Sequence, residues 1–238
     1  MPVPALLLAG GQSTRYGHAN KLLAPLNGQP VLCWSARAFF SHPYISGVML
    51  VCPPEHANTY RELLELLAGP KPLLTAPAGT SRAESVKNGL AAIITHHQNA
   101  AAPLPTHVLV HDAARPLVSH ALINRVLDAL QNDNHPAEAV IPALAVKDTI
   151  KSIQGDWIQE TLPRATLVSV QTPQGFDLQT LHRAHLLAQT PELATDDAQL
   201  IEAMGIPVRW VAGDACNIKL TTPDDLRMLA TFAQNDTV

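Results

Sequence analysis

Three features of the sequence predict an α/β fold: a mostly parallel, twisted sheet with helices on both faces. Short apolar runs alternate with longer amphipathic stretches. The runs PALLLA, GVMLVC and THVLVHD have the length and apolar character of buried strands. Helix-start signals stand where this βαβα rhythm needs them.

Pro4–Ala9 reads as the first strand and Gly10–Lys21 as a polar loop. Val31–Phe40 reads as a helix, stopped by the His42-Pro43 turn. Gly47–Cys52 is a second strand and Glu55–Leu67 a second helix. Lys71–Ala76 is a third strand, with a helix from Arg82 to about His96. Thr106–Asp112 is a fourth strand, followed by a helix from Ser119 to about Asn132. Ser81-Arg82-Ala83-Glu84 has the form of a capping box, with Glu84 reaching back to the cap. Thr222-Pro223-Asp224-Asp225 joins a capping hydroxyl to a first-turn proline and two acids, placing a last helix at about Pro223–Ala233.

The rhythm breaks between Val140 and Gln171. Thr149–Ile153, the Gln154-Gly155-Asp156 turn and Trp157–Thr161 predict a β-hairpin. Within a single domain of residues 1–238, residues 143–165 thus form a protruding arm. Trp157 and Ile158 are costly to expose on a lone hairpin, which is marginal in water. Packing against a second copy of the chain relieves that cost, and so does folding back onto the same domain; the sequence leaves both open.

Composition narrows the function. The chain has 238 residues, 47% of them hydrophobic, and a net charge of -4. That balance argues against a general nucleic-acid binder. Cys33, Cys52 and Cys216 are odd in number and form no CxxC pair, which fits packing roles and a reducing, cytoplasmic compartment. No apolar run reaches the ~18 residues of a membrane span.

In open α/β sheets, ligands bind beyond the carboxyl ends of the strands. Three loops lie there: Gly10–Lys21, Gly79–Ser85 and Asp112–Pro116. Gly10 and Gly11 let the backbone approach a phosphate and present N–H groups to it, while Arg15 and Lys21 add positive charge. A glycine pair alone reads equally as a flexible turn; two cations after a first buried strand tilt the reading toward a ligand. Its spacing matches neither GxxxxGK[ST] nor GxGxxG. Asp112 ends an apolar strand, and one such carboxylate suits Mg²⁺, which fills its shell with phosphate oxygens and water. Arg115 stands beside it for an anionic or hydroxylated ligand. Alone, this aspartate serves as well to cap the next turn. Lys219, between Ile218 and Leu220, is a single cation in an apolar run, as expected of a side chain aimed at a ligand.

Other chemistries find less support. His182 and His185 are three apart and His107 and His111 four apart, but neither pair has a third ligand at zinc-site spacing. No GxSxG elbow is present. A nicotinamide-dependent oxidoreductase would need the glycine fingerprint and an acid after the second strand, where Cys52-Pro53-Pro54 stands.

Taken together, LAGGQSTRYG with Lys21, GTSRAESV, HDAARP, VKDTIK, Arg164 followed by QTPQGF, TDDAQLIE and NIKLTTPDDL resemble, in this order, the 2-C-methyl-D-erythritol 4-phosphate cytidylyltransferase family. The resemblance implies a nucleotidyltransferase-type fold and transfer of CMP from CTP to a sugar-alcohol phosphate, with Mg²⁺. It implies that Ala9, Gly10, Gly11, Gly79 and Ser85 line the nucleotide pocket, and that Arg15, Lys21 and Lys219 act on the phosphates. By the same resemblance Asp112 holds the metal, and Arg115, Thr149, Arg164 and Thr172 hold the acceptor. The arm is then expected to reach into a partner in a homodimer. Thr80 replaces a frequent aspartate of the base-binding loop, and Cys216 one that usually precedes NIK. Two rivals stay open: a ribitol 5-phosphate cytidylyltransferase, and a protein that senses CTP without turnover.

Overall fold

The structure is a computed structural model that describes residues 2–11, 14–17, 20–132 and 136–235. Parts of the Gly10–Lys21 loop, residues 12–13 and 18–19, lie outside the described residues. The expected alternation is present. Strand β1 (Val3–Leu8) leads through the short hairpin β2 (Pro25–Leu26) and β3 (Gln29–Pro30) to helix α1 (Val31–Ser41). Then follow β4 (Ile45–Cys52), α2 (Ala57–Ala68), β5 (Leu73–Pro77), α3 (Arg82–Asn99), β6 (His107–Asp112) and α4 (His120–Leu130). The expected start of α2 at Glu55 is corrected: Pro54–His56 form a 3-10 turn first.

Beyond α4 come β7 (Ala139–Ala145), the hairpin β8 (Ile150–Gln154) and β9 (Trp157–Leu162), then β10 (Val168–Val170) and β11 (Gln174–Asp177). Helices α5 (Leu178–Leu187) and α6 (Ala198–Ala203), strand β12 (Arg209–Ala212) and helix α7 (Pro223–Asn235) complete the chain. The main sheet has 8 strands in the order β10-β7-β11-β6-β1-β4-β5, with β12 paired to β7. The β1, β4, β5 and β6 pairings are parallel, as is β12 on β7, while β10 and β11 run antiparallel to their neighbours. β10 and β11 are consecutive pieces along β7, separated by Gln171–Pro173, where the Thr172-Pro173 peptide is cis.

Side-chain alternation on the strands divides the core in two. Ala5 and Leu7 pack with Phe39, Tyr60, Leu64, Leu122 and Leu229, from α1, α2, α4 and α7. Leu6 packs on the opposite face with Val86, Leu90, Leu181 and Ile201, from α3, α5 and α6. Burial on both faces is why these strands read as unbroken apolar runs. At Gly89 the fit allows no side chain, since a Cβ there would lie 2.2 Å from Leu6 Cδ1 and 2.8 Å from Val51 Cγ2. That glycine lets α3 lie close on β1 and β4, which holds the N-terminus of α3 over the sheet edge where β1 ends.

The β8–β9 hairpin forms its own two-stranded sheet apart from the main one. Its expected start at residue 143 is corrected, because β7 carries the chain through Ala145 within the main sheet. On this single chain Trp157 is 78% and Ile158 59% exposed.

Candidate active site

β1 is flanked by β4, the next strand of the sheet in sequence, on one side and by the later β6 on the other. That reversal of strand order opens a crevice beyond the carboxyl ends of β1 and β6. Register puts Asp112 opposite Leu8, so both loops leave the sheet at one level. The crevice is a cleft of about 400 Å³. Its lining includes Gly10, Gly11, Arg15, Lys21, Gly79, Arg82, Ser85, Asp112 and Lys219.

The glycines have distinct tasks. A Cβ on Gly10 would meet the Ala78 Cβ at 2.7 Å, so Gly10 lets the first loop lie against the loop after β5. Around Gly11 no atom of the described residues lies within 4 Å of a Cβ, and Gly11 lines the cleft. Ala9 is buried, and its N–H extends the sheet by donating to Val51 O at 2.7 Å. The second loop is knotted by Ser85, whose Oγ accepts from Gly79 N at 3.0 Å and donates to Ser81 O at 2.9 Å. Ser81 caps α3 by accepting from Glu84 N. Glu84 reaches one residue further back than a capping box requires, to Thr80 N and Oγ1, both at 2.6 Å.

Charge defines the cleft. Among its described lining residues Arg15, Lys21, Arg82 and Lys219 face one carboxylate, Asp112. Lys219 Nζ donates to Asp112 Oδ2 at 2.6 Å, and Arg82 Nε lies 3.5 Å from Oδ1. Burial alone would raise the Asp112 carboxyl, but Arg82 and Lys219 hold it well below the usual carboxylate range. Lys21 donates to Leu220 O at 2.9 Å. Burial first, then Lys219 and Arg15, push its ammonium down, while Asp112 and Asp225 draw it up. Such a site gains most from a polyanion that several cations can share. Asp225 fixes the Lys219–Thr222 segment by accepting from Thr221 N and Thr222 N at 2.8 and 2.7 Å. The capping role expected of the Thr222 hydroxyl is thereby corrected: it donates to Asp225 Oδ2.

Other expected site residues lie beneath or beyond the cleft. Thr172 is buried; its Oγ1 accepts from Asp112 N at 3.1 Å and pairs with His111 Nδ1 at 2.9 Å. It positions Asp112 from below. Arg115 turns to backbone oxygens, reaching Asn217 O at 2.7 Å and Val170 O at 3.5 Å, and so ties the Asp112 loop to the Lys219 segment. Thr149 and Arg164 sit exposed on the arm, and Arg164 donates to Lys147 O at 2.7 Å. Neither lines the cleft of its own chain. His111 is a buried core histidine, its ring pushed down to about 4 chiefly by desolvation. His185 is also buried. The site residue that sequence reasoning missed is Arg82, taken only as a helix-start residue. A cation in the first turn of a helix opposes the helix dipole, so its presence there was the available signal.

The family model described as 2-C-methyl-D-erythritol 4-phosphate cytidylyltransferase matches residues 3–234. A bifunctional enzyme IspD/IspF of Solidesulfovibrio magneticus is 42% identical over 98% of this chain, which spans 58% of that protein. A 2-C-methyl-D-erythritol 4-phosphate cytidylyltransferase of Synechococcus elongatus is 39% identical over 93% of this chain and 91% of its own length. The enzyme of that name from Thermus thermophilus has a solved structure that superposes with a TM-score of 0.74 at 33% identity, covering 98% of this chain and all of that one. The 4-diphosphocytidyl-2C-methyl-D-erythritol synthase of Anaerococcus prevotii gives a TM-score of 0.81 at 27% identity, over 98% and 96% of the two chains. With a cation-lined cleft at the switch point of its sheet and a match along nearly all of its length, this chain belongs to the 2-C-methyl-D-erythritol 4-phosphate cytidylyltransferase family.

Proposed function

We propose that the chain transfers CMP from CTP to 2-C-methyl-D-erythritol 4-phosphate, releasing pyrophosphate and 4-diphosphocytidyl-2-C-methyl-D-erythritol. One observation carries this reading: Lys21, Lys219, Arg15 and Arg82 converge with Asp112 on one cleft. That set suits a triphosphate under attack better than it suits mere retention of a nucleotide. The acceptor phosphate oxygen attacks the α-phosphorus of CTP in line. A phosphate monoester is largely ionised at neutral pH, so no protein nucleophile is needed. The barrier is the meeting of two anions, and positioning with charge neutralisation lowers it.

Each residue then has a task. Ala9, Gly10, Gly11, Gly79 and Ser85 shape the wall that receives the nucleoside and phosphates. Arg15 and Lys21 grip the triphosphate, and Lys219 moves from Asp112 onto the α-phosphate as negative charge gathers there. The donor set fits Mg²⁺: Asp112 offers one carboxylate, and among the described residues no cluster of three histidines, cysteines or acids forms a protein-only cage. Bound there, Mg²⁺ would neutralise phosphate charge. Arg115 and Thr172 serve the acceptor by holding the Asp112 loop.

The arm completes the site from a second copy of the chain, bringing Thr149 and Arg164 to the acceptor phosphate. The exposed Trp157 and Ile158 support this, because a partner would cover them. Mixing inactive Arg164→Ala and Lys219→Ala proteins tests it. Roughly a quarter of wild-type activity should return, since half the dimers are mixed and each keeps one intact site. No recovery would place the arm in its own chain's site. We place the enzyme in the cytoplasm; among the described residues no helix is long and apolar enough to cross a membrane.

The deciding experiment is pyrophosphate release with CTP and Mg²⁺, run with methylerythritol phosphate beside ribitol 5-phosphate. Release with the first alone is expected. Release with ribitol phosphate would move the protein to the other acceptor class, and CTP binding without release would make it a sensor.

A further inference from the structure

Arg82 occupies the first position of α3, after the cap Ser81. A cation is disfavoured there by the helix dipole, so its charge must be balanced by other groups. Two carboxylates share it. Arg82 Nη1 donates to Asp197 Oδ2 at 2.7 Å, while its Nε lies 3.5 Å from Asp112 Oδ1. The other oxygen of Asp197 lies 3.0 Å from His185 Nε2, and both of those side chains are 1% exposed. The nearest of the three to the cleft is Arg82, which lines it. Asp197 and His185 stand behind, out of reach of any ligand.

Resting on the function proposed above, we infer that Asp197 is a positioning residue: it draws Arg82 back from Asp112 and so leaves Oδ1 of Asp112 open to the divalent cation that accompanies the triphosphate. One guanidinium lies between two carboxylates, and the deeply buried one takes the short hydrogen bond. Asp112 keeps only the long contact on that side. His185 satisfies the remaining oxygen of Asp197 and keeps the carboxylate turned toward Arg82. Without the charge of Asp197, the arginine is balanced by Asp112 alone and competes for the oxygen that a metal would use. The loss of a negative charge behind the site acts in the same direction. Groups that orient a metal ligand from behind typically change metal affinity by about 10- to 100-fold.

The test is Mn²⁺ binding to the protein with CTP held at a saturating concentration for each variant and no acceptor, followed by electron paramagnetic resonance. Asp197→Asn keeps the shape and removes the charge; it should weaken Mn²⁺ binding by about tenfold or more. The double variant Arg82→Gln/Asp197→Asn removes the competing cation too, and Mn²⁺ affinity should return to the wild-type level or exceed it. A purely structural role predicts the opposite order, with the double variant at least as impaired as the single one. Unchanged Mn²⁺ binding in Asp197→Asn, or no recovery in the double variant, would overturn the inference. Should Asp197→Asn fail to fold, the double variant decides: affinity at or above wild type supports the inference and a tenfold loss removes it. Pyrophosphate release by the wild type, measured alongside, separates a failure of this inference from a failure of the assigned activity.

Discussion

Asp112→Asn should lower turnover about a thousandfold while tightening the binding of CTP in the absence of metal. The two effects have one cause. Asp112 is the carboxylate that faces Arg15, Lys21, Arg82 and Lys219 in the described lining of the cleft. Asparagine keeps the shape but removes the charge, so the cations lose their internal partner and bind a triphosphate more strongly. The same change removes the carboxylate that a metal needs. Charge stabilisation by a catalytic metal is worth several kcal/mol, and about 1.4 kcal/mol is tenfold in rate. Steady-state kinetics and calorimetry with CTP check both arms. Weaker CTP binding together with normal turnover would remove Asp112 from the metal role and leave it as a structural anchor for Lys219.

Lys219→Ala should cut turnover by about 10²- to 10³-fold and change CTP affinity only a few-fold. The Lys219 ammonium already has a partner within the chain, the Asp112 carboxylate at 2.6 Å. Binding CTP therefore exchanges one anion for another, and the net gain in ground-state affinity is small. In the proposed reaction, as the two phosphates close on each other, negative charge accumulates near the α-phosphate, and the interaction becomes stronger than it was at rest. Only such a difference between ground and transition state accelerates chemistry. The Lys219 side chain is 41% exposed, which leaves it room to change partners. A measured loss that fell mainly on CTP affinity, with turnover preserved, would make Lys219 a binding residue.

The two halves of the chain differed in how openly they could be read. From β1 to α4 every element but the two-residue strands β2 and β3 has its own signal: apolar runs for strands buried on both faces, the Ser81 cap for α3, and prolines and glycines between them. Beyond Val140 the signals weaken. β10, β11 and β12 are only three or four residues long, too short for periodicity to mark. α6 has six residues, and its burial comes from packing against α5 and the sheet. The hairpin was legible because alternation and a turn signal coincide there. Its separation from the main sheet, and the continuation of β7 through Ala145, depend on strand pairing across long stretches of chain.

The sequence by itself determined the α/β class, the loops that carry the site, and the residue types able to handle phosphate. Those properties are local: strand burial shows in composition, and a glycine pair followed by cations keeps its chemistry wherever the chain folds. Only the tertiary structure decided which groups meet. Lys219 and Asp112 lie 107 residues apart and make a 2.6 Å ion pair, and Arg82 and Asp197 lie 115 apart at 2.7 Å. It also separated the expected site residues: Lys21 and Lys219 line the cleft, Thr172 and Arg115 brace it from behind, and Thr149 and Arg164 stand out on the arm. The physical reason is that a partner's identity follows from strand order and register, and these are set by burial summed over the whole chain.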